Sequence, residues 1–305
     1  MRKVSMILGL ALFALAGSAR AQDEAPAPAG DPAAAPAGAP APAAEAAPAP
    51  APVAAATSAG YALGSLTLPA GVFQATVPVV LNLSKEAVLK PVWVPLDLSY
   101  GVNDQLTVFL NHSTPNGAVA AMSGLCLGGK DRGCTKLNGD SKIYDNVNLG
   151  AQYSLMKSGN IELSGIGALQ FRHLDPMYLA IDLGVGFKYV SAPLSIKVSP
   201  QIGIGATKRS EGNKEEINVP AEVAFQATPE LAIFLDTGIG GPTKDFGKLY
   251  TVPVGIGAAF AATPALNVGA ELMLPMVVRG SFYKDAGIGA ADVRILGLFA
   301  SYRTN

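Results

Sequence analysis

The chain holds only two cysteines, two histidines and one tryptophan in 305 residues, and 15% of its residues are charged. Each scarcity excludes something. Two cysteines cannot supply the four soft ligands of a structural zinc site, and two histidines leave little for a catalytic metal. A net charge of −1 with no basic cluster argues against a nucleic-acid partner. The longest apolar run, residues 6–17, falls short of the roughly 20 residues that a membrane-crossing helix requires. No phosphate-cradling loop or nucleophile elbow is visible, and Gly203-Ile204-Gly205 has no helix after it to bind a dinucleotide. No cofactor and no enzyme activity are therefore expected.

What is present begins with that short apolar run. It follows Arg2-Lys3 and precedes Ala19-Arg20-Ala21, so residues 1–21 read as a secretory signal peptide cleaved before Gln22. No cysteine lies near the cut to carry a lipid anchor. Residues 22–60 are almost wholly alanine and proline. Repeated Ala-Pro keeps a chain extended and strips it of backbone donors, which predicts a disordered periplasmic linker. Peptidoglycan is a candidate contact for it, although no binding motif is visible.

Residues 61–305 carry a different pattern. On residues 249–262, Tyr250, Val252, Val254, Ile256, Ala258 and Phe260 share one parity, while Thr251, Pro253, Gly255, Gly257 and Ala259 share the other. After a turn at Ala262-Thr263-Pro264-Ala265, Leu266, Val268, Ala270, Leu272, Leu274 and Met276 alternate with Asn267, Gly269, Glu271, Met273 and Pro275. Period two over about ten residues marks strands with a different solvent on each face. A continuous apolar face opposite a small or polar one fits lipid outside and water inside. The same alternation recurs over 72–83, 92–100, 106–112, 147–155, 161–171, 177–189, 194–204, 217–225, 231–239 and 296–302, for twelve arms in all. The predicted class is all-β: an up-and-down antiparallel transmembrane barrel. Short turns near 102, 159, 192, 228 and 263 alternate with mostly longer connections, which places the short turns and both termini in the periplasm. Outward aromatics just before those turns, Tyr100, Tyr153, Phe187, Tyr189, Phe225, Phe260 and Tyr302, read as an interfacial girdle.

On these features the chain resembles the bacterial outer-membrane β-barrel proteins of the twelve-strand, porin-like class. The resemblance covers about residues 61–305 and implies a Gram-negative outer membrane. The partners implied are lipid, lipopolysaccharide and the barrel assembly machinery. Members of such families usually end on an aromatic residue, whereas here Tyr302 is followed by Arg303-Thr304-Asn305.

Candidate chemistry is sparse. Cys126 and Cys134 lie in the longest loop and are expected to form a disulfide in the oxidising periplasm. Asn111-His112-Ser113 is faintly similar to the His-x-Ser segment of outer-membrane phospholipases and lipid A deacylases. However, adjacent strand residues point to opposite faces, so His112 and Ser113 cannot act together. Both His112 and His173 are then expected at the headgroup rim. The inward parity is more telling. It carries the pore-lining candidates Asp97, Asp182, Lys188, Lys197, Glu222, Asp236 and Glu271, together with Glu162 and Arg172. Inward glycines such as Gly150, Gly203, Gly255, Gly257 and Gly269 suggest open space between them. The function that follows is a narrow passive pore for small solutes with mild cation preference, resting chiefly on Asp236 and Glu271. The alternatives are a structural or surface-exposed barrel without transport and, third, a lipid hydrolase at the outer rim.

Overall fold

The computed structural model describes residues 60–84, 88–89, 91–112, 124–127, 136–137, 140–141, 144–174 and 176–304. The signal peptide and nearly all of the expected linker lie outside these residues, as do Ser113 and Cys134. Twelve antiparallel wall strands close into a ring. They are β1 (Phe73–Asn82), β2 (Val92–Val94 and Asp97–Asn103), β3 (Leu106–Asn111), β4 (Val147–Ser158), β5 (Ile161–Leu174) and β6 (Met177–Ser191). The second half comprises β7 (Leu194–Val198 and Gln201–Gly205), β8 (Glu216–Gln226), β9 (Leu231–Pro242), β10 (Thr251–Thr263), β11 (Leu266–Arg279) and β12 (Ile295–Arg303). The gaps in β2 and β7 fall at Pro95 and Pro200, where the ladder has no N–H to use. Closure comes from β12 pairing with β1 along its length, from Gln74↔Arg303 to Asn82↔Ile295.

Alternation decides which face is which. Ile256 is 59% exposed on the outside of the ring, and Leu155, Leu183, Leu235, Leu272 and Leu298 are exposed beside it. Residues facing in are instead hidden from solvent, among them Ala180, Ala224, Ala232 and Phe234. This is a protein with its large aliphatic side chains turned outward, as the strand parity predicts. Tyr100, Tyr153, Phe225, Phe260 and Tyr302 are all exposed near the short-turn end, where Phe73 joins them. At that end the turns are tight. Between β4 and β5, Gly159 takes a φ of +54°, which a side chain would resist.

The wall begins at Phe73, twelve strands being complete without the residues before it. Residues 60–68, ahead of the first expected arm, run inside the ring. Their short 3-10 turn, Tyr61–Leu63, packs Ala62 against Ala224, Ala232, Phe234 and Ala259, with Phe299 alongside. A second apolar knot, Val80, Trp93, Cys126 and Ile295 with Met273 against it, lies on the inner face towards the long-loop end. There the loop strand Gly124–Leu127 pairs with Val92–Val94 and sets Cys126 opposite Trp93.

Two outcomes follow from this arrangement. Leu272→Arg places a cation against lipid and should cost about 2–4 kcal/mol in a membrane-folding titration, while Gln74→Arg, which faces the lumen, should cost little. Equal costs would overturn the assignment of the two faces. For the cysteines, protein purified without reductant should be lighter by the two thiol hydrogens, and two reactive thiols would overturn the pairing.

Candidate functional site: the lumen

The inner face of β5 through β11 carries one charged row, set by strand register. Cross-strand neighbours run Glu162↔Lys188, Lys188↔Lys197, Lys197↔Glu222 and Glu222↔Asp236. Asp236 then faces Gly255, and Glu271 faces Gly257 from the far side of β10. Residues scattered over more than a hundred positions of sequence thus form a continuous belt, because each lies on the inward parity and each hairpin holds its register. Within the belt the Lys197 ammonium lies 3.3 Å from the Glu222 carboxylate. Glu271 leans across β10 towards Gly255, the residue that Asp236 faces.

Above the 3-10 turn the lumen holds a cavity of about 560 Å³. Lys197, Glu222, Asp236 and Glu271 line it, together with Tyr61, Phe234, Phe299 and Met273. Four of the expected pore-lining residues therefore share one space. The other three lie elsewhere. Lys188 donates to the Gly64 carbonyl of the inner segment. Asp182 belongs to a cluster nearer the long loops, where Arg172 binds Glu216 at 2.9 Å and donates to Asn213 and the Lys214 carbonyl. That cluster ties the loop after β7 to the wall. Asp97 accepts a 2.7 Å hydrogen bond from the His112 backbone N–H.

His112 corrects a sequence expectation, since it is wholly buried rather than at a headgroup rim. The Asp97 carboxylate sits 3.7 Å from Nδ1 of its ring, and Nε2 is hydrogen-bonded to the Tyr144 hydroxyl. Orienting partners for the ring are present, which the sequence did not suggest, because Tyr144 arrives from the far end of the longest loop. His173, in contrast, packs edge-on against Tyr178.

The glycines are corrected too. They are not open space but seats for side chains of the adjacent strand. A Cβ on Gly257 would overlap the Phe234 ring, one on Gly269 the Phe299 ring, and one on Gly150 the Phe109 ring. Each aromatic lies on the inward parity and leans across the neighbouring strand, where only a glycine admits it. Phe234 and Phe299 stand 6.4 Å apart by ring centroid, and Tyr61 stands 5.3 Å from Phe234. This aromatic group was legible in principle as large rings on an otherwise small or polar parity. Tyr61 carried no such signal.

Gly255 has the same role for a charge, because a Cβ there would collide with the Glu271 carboxylate. Gly255→Ala should therefore lower barrel stability by about 1 kcal/mol in an unfolding titration. The loss should largely disappear in a Glu271→Ala background. Equal losses in the two backgrounds would show that the glycine is not a seat for that carboxylate.

No protein-family model and no curated protein sequence matches the chain. Solved structures do. The NanC porin is similar at a TM-score of 0.51 and 9% identity, over 75% of this chain and 98% of its own. The KdgM porin follows at 0.49 and 6%, over 75% of this chain and 98% of its own. An outer membrane channel from Pseudomonas putida F1 scores 0.44 at 12% identity, over 78% of this chain and 97% of its own. At such identities the first likeness speaks for fold alone. The fold it shares is the twelve-stranded antiparallel ring of a porin-like outer-membrane barrel.

Proposed function

We propose that this chain is an outer-membrane pore that passes small solutes by diffusion and mildly favours cations, with its short turns in the periplasm. One observation carries the reading: the lumen cavity has three carboxylates, Glu222, Asp236 and Glu271, against the single ammonium of Lys197. Lys197 is paired with Glu222, which leaves Asp236 and Glu271 as the uncompensated pair. Excess negative charge along a narrow aqueous path concentrates cations and repels anions. Mobile ions screen it over about 10 Å at 0.1 M salt, so the preference should fade as salt rises.

A barrel without transport is the second reading. It is favoured by the rings of Tyr61, Phe234 and Phe299, which fill part of the bore.

Reversal potentials in planar bilayers under a potassium chloride gradient test the proposal. Wild type should be cation-selective, Asp236→Asn with Glu271→Gln should be less so, and Lys197→Gln more so. Anion selectivity in the wild type, or a potential indifferent to all three substitutions, would sink the assignment of these carboxylates.

A further inference from the structure

The inner segment is attached in an unusual way. Residues 60–68 cross the short-turn mouth inside the ring and pair with no wall strand. Besides the packing of Ala62, their links to the wall are hydrogen bonds to side chains or from them, that of the Thr67 hydroxyl to the Asp104 carbonyl among them. Ala62 N–H donates to Gln226 Oε1 at 3.2 Å, and Leu66 N–H to Glu162 Oε2 at 2.8 Å. The Ser65 hydroxyl donates to the same Glu162 oxygen at 2.9 Å, and Leu68 N–H donates to Thr107 Oγ1 at 2.8 Å. Lys188 donates to the Gly64 carbonyl, and the Tyr61 hydroxyl reaches Glu222 at 3.5 Å.

Residues 69–72 are held differently. Gly71 N–H donates to the Gly101 carbonyl at 2.8 Å, and Gly101 N–H to the Val72 carbonyl at 2.9 Å, so backbone fastens backbone. Gly71 takes a φ of +76°, and a Cβ on Gly101 would collide with the Pro69 carbonyl. The segment is thus a strap with a firm root and a lightly tied free length. Ring closure starts beyond it, at Gln74↔Arg303, so the strap can leave without breaking one ladder bond. What it covers is the floor of the charged cavity, where Tyr61 is part of the lining.

We propose that residues 60–68 are a releasable strap that shuts the short-turn mouth of the lumen, swinging about residues 69–72. This rests on the pore reading above. The strap closes the path twice over: Tyr61 stands beside Phe234 and Phe299, and Glu162 with Lys188 clamps the backbone on either side of Ser65. When it leaves, its carboxylate and ammonium partners are freed to water, and the wall stays as it is. Opening is then a local event rather than a change of barrel shape.

Single-channel recording on the full chain tests this with three forms. Wild type should open briefly and seldom. Glu162→Ala with Tyr61→Ala removes three strap hydrogen bonds and the contacts of the Tyr61 ring with Phe234 and Phe299, and should raise the open fraction about tenfold or more. Gly60→Cys with Gln226→Cys should lock the strap when oxidised, because a Cβ on Gly60 would lie against the Gln226 side chain. Openings should vanish and return with reductant. Heat-modified mobility in gels confirms that each form is a folded barrel. Equal open fractions in all three folded forms would overturn the strap and leave the pore standing. Silence in every folded form, the loosened one included, would sink the pore and the strap with it.

Discussion

Everything in this structure depends on the pairing of β12 with β1. In hydrocarbon a backbone N–H or C=O without a partner costs several kcal/mol, and an open sheet would leave two full rows of them. The ladder from Gln74↔Arg303 to Asn82↔Ile295 removes both edges. Once the ring is closed, strand parity alone sorts side chains between lipid and lumen. The outward aliphatic band, the inward charge row and the aromatic seats are all consequences of that sorting. Even the strap is free to be something other than wall because the wall is already complete without it.

Closure also explains which parts of the fold could be read from residues alone. The arms at 249–262 and 266–276 declare their faces through Val254, Ile256 and Phe260 against Gly255, Gly257 and Ala259, and β10 and β11 follow them. That information is local, repeated twelve times and tied to a period of two. Residues 60–68 precede the first arm, and Leu63, Leu66 and Leu68 show no alternation that would announce a lumenal segment. Their lumenal place is set by partners far away in sequence, Glu162, Gln226 and Thr107, and nothing in the segment itself records them.

The lumen was legible in part. Inward parity located Lys197, Glu222, Asp236 and Glu271, and the hairpin register then aligned them. What parity cannot convey is how a side chain leans across to the next strand. That is why glycines read as gaps when they are seats, with Phe234 over Gly257 and Phe299 over Gly269. Depth along the strand was equally hidden. Asp97 and Asp182 share the inward parity, yet the first is taken by His112 and the second by the Arg172 cluster.

The charge row has a further consequence, for assembly rather than for passage. The register Lys197↔Glu222↔Asp236 holds only if β7, β8 and β9 meet in one alignment. A slip by one residue would turn one strand's charges towards lipid, where each costs up to about 2–4 kcal/mol at mid-depth. A slip by two keeps every face correct but sets Lys197 opposite Pro220 or Ala224 and dissolves the ion pair. Barrel strands offer few other marks, since most of their outward residues are interchangeable aliphatics. The belt therefore acts as an alignment key, able to reject both kinds of misthreading while the hairpins are still joining.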